Sequence, residues 1–318
     1  MKYHSRKIFY LIISLLAIIC FSLLIMLNIA NEKPKSSKII TTSFVGYDFA
    51  RAVTGDASNI SMLLSPGAEL HDYEPTPEDI INIKKADLFI YNGGESDEWV
   101  EKILKDNEIP ESKTFRMMGY VDLRLEDDLD DDDHEDHDTD DEPEYDEHIW
   151  TSPVNAIKII ENLKNKLTEL YPEHAKSYSE HSKSYISRLK TIDEKIREIV
   201  ANGSDKPLVF ADRFPFQYFV DEYGLTYFAA FPGCSEETEA SSKVIAFLID
   251  KVKQESLEVV LKIELTSDKL AQTIAEETGA KILELNSAHN ISKADFDNGV
   301  TYADIMENNL EVIKEALK

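Results

Sequence analysis

Three histidines in this chain, His71, His148 and His289, stand where an imidazole could take up a metal ion. His71 lies in Ser65-Pro66-Gly67-Ala68-Glu69-Leu70-His71-Asp72-Tyr73-Glu74-Pro75-Thr76-Pro77, a proline-stiffened loop between an apolar run and a helical pattern. His148 lies in Asp146-Glu147-His148-Ile149-Trp150-Thr151-Ser152-Pro153, again a turn ahead of a helix, where Ile149 and Trp150 can bury the backbone beside it. His289 follows the last β-branched run, in Leu285-Asn286-Ser287-Ala288-His289-Asn290. Neutral imidazole is a good zinc ligand, and three of them would supply the nitrogen set that zinc favours. Open α/β sheets bind ligands beyond the carboxyl ends of their strands, which is where these loops fall. Singly, each has a plainer reading: a solvated loop residue, or for His148 the cap of an acidic run. The wide spacing cannot join them without a fold.

That acidic run, residues 126–147, holds 16 Asp and Glu and no Lys or Arg, with His134 and His137 among them. It reads as a solvated, flexible loop. Carboxylates and imidazoles on such a loop would also gather divalent cations weakly and raise their concentration near a tighter site. No pattern of a catalyst accompanies these groups: there is no Gly-x-Ser-x-Gly, no phosphate loop and no His-Glu-x-x-His, and Gly93-Gly94 lacks the remaining glycines of a dinucleotide fingerprint. Cys234 reads as a packed thiol rather than a nucleophile. The chain is therefore expected not to be an enzyme.

Composition narrows the classes further. The formal net charge of −27 excludes a nucleic-acid binder, whose partner demands a basic surface. A hydrophobic content of 42% is enough for a true core. The two cysteines, Cys20 and Cys234, give no disulfide framework and no cysteine zinc knuckle, so a tight metal site must use His, Asp and Glu. At the N-terminus, Lys2, Arg6 and Lys7 precede an apolar run from Ile8 to Ala30, about 35 Å as a helix and long enough to cross a bilayer. The basic residues ahead of this run place the chain beyond Asn31 outside the cytoplasm. An uncleaved anchor fits best. A cleaved signal and lipidation at Cys20 are the rivals, the latter opposed by Ile19 where a small residue is expected.

Strand-like runs at Ile39–Ser43, Ser61–Leu64, Leu88–Asn92, Leu208–Ala211, Leu225–Ala230, Val259–Ile263 and Lys281–Leu285 alternate with helical patterns at Asp48–Thr54, Pro77–Lys85, Trp99–Asp106, Pro153–Leu170, Ala240–Gln254 and Lys269–Thr278. The alternation predicts parallel βαβ units. Tyr171-Pro172-Glu173 opens one longer helix. Tyr185, Leu189, Ile192, Ile196 and Ile199 form its apolar stripe, and Asn202-Gly203 reads as its C-cap. Lying midway between two groups of strands, it reads as a strut between two lobes.

The chain resembles the zinc/manganese solute-binding proteins of bacterial ABC transporters. The likeness rests on the Pro66–Pro77 segment, Ala86-Asp87-Leu88 with Tyr91-Asn92-Gly93-Gly94 and Trp99, Asp146-Glu147-His148-Ile149-Trp150 with Pro153, and Thr301-Tyr302 with Met306, Asn309 and Leu310. It covers roughly residues 38–318. It implies two Rossmann-like α/β lobes with mostly parallel sheets, joined by a long rigid helix and holding metal between them, with little lobe movement. The expected divisions are an anchor and tether at 1–37, a first lobe at 38–171, the helix at 172–203 and a second lobe at 204–318. His71 and His148 become the first-lobe ligands. In the second lobe Ala211 stands where the family usually has a histidine and Asn286 where it has a carboxylate. His289 is then the compensating ligand, with Asp212, Glu264 or a water to complete a tetrahedron. The implied function is a monomeric, extracytoplasmic zinc receptor serving the membrane permease of an ABC importer, with affinity falling as pH drops through about 6.5. The alternatives are a manganese receptor of the same class, a surface adhesin stabilised by metal, and, least favoured, a metal-dependent hydrolase.

Overall fold

The computed structural model describes residues 38–68, 73–126, 144–233 and 240–318. The expected anchor, His71, the loop histidines His134 and His137, and Cys234 all lie outside the described residues. Among the described residues, no helix is long and apolar enough to cross a membrane.

The first sheet is built from β1 (Ile39–Thr41), β2 (Ile60–Met62), β3 (Leu88–Tyr91) and β4 (Thr114–Arg116), all parallel in the order β2-β1-β3-β4. Between the strands run α1 (Phe44–Thr54), α2 (Pro77–Lys85) and α3 (Glu98–Asp106), covering the sheet as parallel crossovers require. Thr76 opens α2 with a capping box to Asp79, and Pro77 occupies the first turn, where its missing N–H costs nothing. The chain then enters α4 (Pro153–Leu170) and, after one 3₁₀ turn at Pro172–His174, the 28-residue α5 (Ala175–Asn202). The second sheet repeats the first: β5 (Leu208–Arg213), β6 (Tyr227–Phe231), β7 (Val259–Lys262) and β8 (Lys281–Glu284) are parallel in the order β6-β5-β7-β8. Its helices are α6 (Gln217–Tyr223), α7 (Ser242–Gln254), α8 (Lys269–Thr278) and α9 (Lys293–Asp297), and α10 (Tyr302–Ala316) closes the chain. The two parallel-sheet lobes and the long helix are as expected from the sequence.

The long helix is held by one buried face that runs along its length. Tyr178, Ser182, Ile186, Leu189, Ile192 and Ile196 form a buried stripe at helical spacing, packed against α4, α1 and α10. The helix ends at Asn202 with Gly203 as its C-cap, as the sequence suggests. Gly203 has φ −80 and is no left-handed cap; a Cβ there would lie 2.9 Å from Leu317 Cβ and 3.0 Å from the Ile199 carbonyl oxygen, so the glycine allows a close approach to the chain's C-terminus.

One carboxylate ties the first lobe, the strut and the last helix together. Asp48 on α1 is fully buried. Its Oδ1 accepts from Arg51 Nε at 3.0 Å, and its Oδ2 accepts from the Tyr185 hydroxyl on α5 and from the backbone N–H of Tyr302 at 2.9 Å. Arg51 reaches on to the Val300 carbonyl at 3.0 Å. Burial raises the Asp48 pKa, with Arg51 pulling the other way.

In each sheet, a second kind of carboxylate closes the crevice where the strand order reverses. In the first lobe Asp97 Oδ2 accepts from Asn92 N at 2.7 Å, Gly93 N at 3.1 Å and Thr42 Oγ1 at 3.4 Å, joining the ends of β1 and β3. In the second, Asp212 joins the ends of β5 and β7 in the same way.

Asp48→Ala should lower unfolding free energy by about 3–5 kcal/mol, because it strands Arg51 and two further donors; denaturant titration measures this. Asp97 gives a pH signature. Burial pushes its carboxyl up to about 7, although the Gly93 and Asn92 N–H groups favour the charged form. A pKa raised on folding adds stability that is present at low pH and is lost as pH rises through 7. Asp97→Asn removes this loss, so the variant should gain in melting temperature on wild type between pH 5 and pH 8. A constant difference across that range would contradict the assignment.

Candidate metal centre

The His148 segment is assembled by its neighbours on both sides. Leu125 and Tyr145 form an antiparallel bridge, reinforced by Glu126 N to Glu144 O and Asp146 N to Arg124 O, each 3.0 Å. The acidic segment thus leaves and returns at one point, directly before His148. Asp146 Oδ1 accepts the His148 backbone N–H at 2.8 Å and lies 3.4 Å from His148 Nδ1. Asn92 Nδ2 donates to the Glu147 carbonyl at 2.8 Å, and the Glu147 carboxylate accepts Ser96 N at 3.1 Å. Gly94, at φ 92, must be glycine here, since a Cβ would meet Glu147 Cβ at 2.8 Å. The His148 ring is wholly buried, edge-on to Trp150 with centroids 5.5 Å apart. Burial disfavours its charged form, but Asp146, with Glu147 and Glu126 beyond it, outweighs this and leaves the pKa raised.

His289 comes from a short turn after β8. Ser287 is buried, Ala288 adopts φ 58, and the turn is fixed by Asn309, whose side chain accepts Asn286 N at 3.0 Å and donates to Asn286 O at 2.7 Å. The result is that His148 Nε2 and His289 Nδ1 face each other at 3.1 Å across the two lobes. Two imidazole nitrogens so placed share one proton or one metal ion. Zinc bonds of about 2.0–2.1 Å at a tetrahedral angle set two nitrogens about 3.3 Å apart, so the pair is within a few tenths of an ångström of a zinc bite.

Several hydrogen bonds bolt the lobes together around this pair. Trp150 Nε1 donates to the Ser287 carbonyl at 2.8 Å, the Tyr302 hydroxyl to the Trp150 carbonyl at 2.6 Å, and the Tyr218 hydroxyl to the Asp146 carbonyl at 2.8 Å. Gly233 permits the contact on the second-lobe side: its Cβ would lie 2.9 Å from the Phe214 carbonyl and 3.4 Å from His148 Nδ1. Trp150 and Tyr302 fall in segments that carry the family resemblance; Ser287, Tyr218 and Gly233 carry no pattern in the sequence beyond their residue type.

Beside His289 opens a cleft of about 100 Å³, lined by Gly67 and Ala68 of the first lobe and by Arg213, Glu264, Thr266 and Asn290 of the second. Asn290 Oδ1 accepts Gly67 N at 3.3 Å, and its Nδ2 donates to the Ala68 carbonyl. The structure therefore brings His148 and His289 together and places Gly67 and Ala68 beside His289. The two carboxylates considered as further ligands are engaged elsewhere. Asp212 accepts Arg213 N at 2.9 Å, Ile263 N at 3.3 Å and Thr266 Oγ1 at 2.5 Å. Glu264 accepts Ser287 N and Ser287 Oγ, each at 2.7 Å, and His289 N at 3.1 Å. Among the described residues, no group of three or more His, Cys, Asp or Glu is gathered to hold a metal.

Residues 39–316 match the family model described as zinc-uptake complex component A, periplasmic. The chain is 32% identical over 288 residues to the high-affinity zinc uptake system protein ZnuA of Bacillus subtilis, covering 91% of this chain and 90% of that one. It is 30% identical over 303 residues to the zinc-binding lipoprotein AdcA of Streptococcus pneumoniae, covering 95% of this chain but only 60% of the relative's length. Among solved structures, the Zn(II)-bound ZnuA-like domain of pneumococcal AdcA superposes with a TM-score of 0.73 at 29% identity, covering 89% of this chain and 99% of that one. The metal-dependent lipoprotein YcdH of B. subtilis does so with a TM-score of 0.74 at 30% identity, covering 88% and 99%. With nearly its whole described body matched, the chain belongs to the zinc-uptake complex component A family.

Proposed function

We propose that this chain is the extracytoplasmic receptor of a high-affinity zinc importer. It takes one Zn²⁺ between its lobes, releases it to the membrane permease of an ABC transporter, and carries out no chemical conversion. The observation that carries this reading is the opposed pair His148 Nε2 and His289 Nδ1, 3.1 Å apart between two interlocked lobes. His71 is proposed as the third nitrogen donor. Gly67 and Ala68 line the cleft beside His289, and the three residues from Ala68 to His71 span at most about 10 Å. With Asp212 and Glu264 engaged by protein donors, a water completes the tetrahedron. Nitrogen donors suit zinc better than manganese, which favours oxygen. The acidic segment with His134 and His137 serves as a collector feeding the site. Its paired stems at Leu125 and Tyr145 start and end it beside His148. The N-terminal run tethers the receptor, as a monomer, to the outer face of the cell membrane; relatives of this chain are lipoproteins.

Calorimetric titration of zinc tests this in the body of the protein with residues 127–143 removed, leaving the stem residues in place. One tight site should persist. His148→Ala and His289→Ala should each weaken it by at least tenfold. Affinity should fall with pH from above the ordinary histidine value of about 6.5, since protons compete for the same nitrogens and His148 holds its proton more firmly than usual. Tight binding lost with the loop, or indifferent to both histidines, would sink the assignment.

A further inference from the structure

We propose that Glu264 is a positioning residue for the metal centre: it aims His289 at the cargo without touching it. The inference rests on the reading of His148 and His289 as ligands. Glu264 lies two residues past the end of β7, and its side chain is buried. One carboxylate takes three donors from a three-residue turn: Oε2 accepts Ser287 N, while Oε1 accepts both Ser287 Oγ and His289 N. Between them Ala288 is held at φ 58, a left-handed conformation that alanine seldom adopts. His289 presents Nδ1, the ring nitrogen nearer its own backbone, so a shift of this turn passes almost undiminished to the metal-facing atom.

Glu264 is itself anchored on both sides. Asp212 accepts Ile263 N before it and Thr266 Oγ1 after it, and Leu265 in between is held at φ 57. Two left-handed residues, Leu265 and Ala288, thus flank one buried carboxylate, and the hydrogen bonds of Asp212 and Glu264 fix both. Backbone held in such regions clusters at functional sites, where the surroundings over-determine it. The order of control runs from Asp212 to the 263–266 loop, to Glu264, to the 287–289 turn, and so to His289 Nδ1. This arrangement puts the carboxylate behind the ligand, where its role is to orient rather than to bind.

The test is a double-mutant cycle on the full chain, with zinc affinity read by competition against a chromophoric chelator in wild type, Glu264→Gln, His289→Ala and the double variant. Glu264→Gln places an amide N–H against the donors of the turn and should cost about 10–100-fold in affinity. In the His289→Ala background the same change should cost no more than about twofold, as expected when the effect passes through the missing ligand. Cobalt-loaded Glu264→Gln should keep the wild-type visible spectrum, since the donor set is unchanged. Wild-type affinity in Glu264→Gln, an equal loss in both backgrounds, or an altered cobalt spectrum would each overturn the proposal. The last two would mean general destabilisation and direct ligation respectively. Should Glu264→Gln not fold, Ser287→Ala removes one donor, leaves the carboxylate in place and should show the same dependence on His289. Wild-type affinity in His289→Ala itself would remove the reading of the site, and this inference with it; indifference of Glu264→Gln alone would remove only the inference.

Discussion

Two imidazole nitrogens held 3.1 Å apart, one from each lobe, are the constraint around which the rest is arranged. Left without a proton or a cation between them, their lone pairs repel. The fully buried His148 ring cannot turn to solvent for relief, and it is backed by Asp146 on its other nitrogen. A contact of this kind survives only if the surrounding structure enforces it. The enforcement is visible: Trp150 donates across the lobe boundary to Ser287, Tyr302 to Trp150, and Tyr218 to Asp146. On the proposed reading, what the lobes hold ready is a bite for one cation.

The architecture supplies the stiffness this needs. Each sheet is short and parallel and has the same strand order, so each lobe offers loops at the carboxyl ends of its strands. Asp97 and Asp212 close the equivalent crevice in the two sheets by bridging the ends of neighbouring strands. The long helix lies between them in the chain, buried along one face, and Asp48 bonds it to the first lobe and to the start of the last helix. Arg188 adds to the seam with ion pairs to Asp304 and Glu307, although at partly exposed positions these contribute little each.

The sequence exposes most of this framework and misses the parts that depend on close packing. Seven of the strands announce themselves by β-branched runs. Thr114–Arg116 does not, being three residues long and carrying an arginine. The short Gln217–Tyr223 helix is too brief to show a period, and it supplies the Tyr218 hydroxyl that steadies Asp146. His148 and His289 are legible as candidate ligands because turn chemistry and strand ends mark them. The partners that the two carboxylates take up are not. A sequence shows that Asp212 and Glu264 follow strands, but not that their lone pairs are given to Thr266, Ser287 and the His289 backbone. Likewise Asn202-Gly203 is legible as a helix end, but the close approach of Gly203 to Leu317 is not.

The most direct test of an interlobe, histidine-held cation is zinc-edge X-ray absorption on the protein loaded with one equivalent of zinc and lacking residues 127–143. A four-coordinate shell near 2.0 Å dominated by imidazole nitrogens is the predicted result. A shell of oxygens alone, or no ordered shell once the acidic segment is gone, would contradict it.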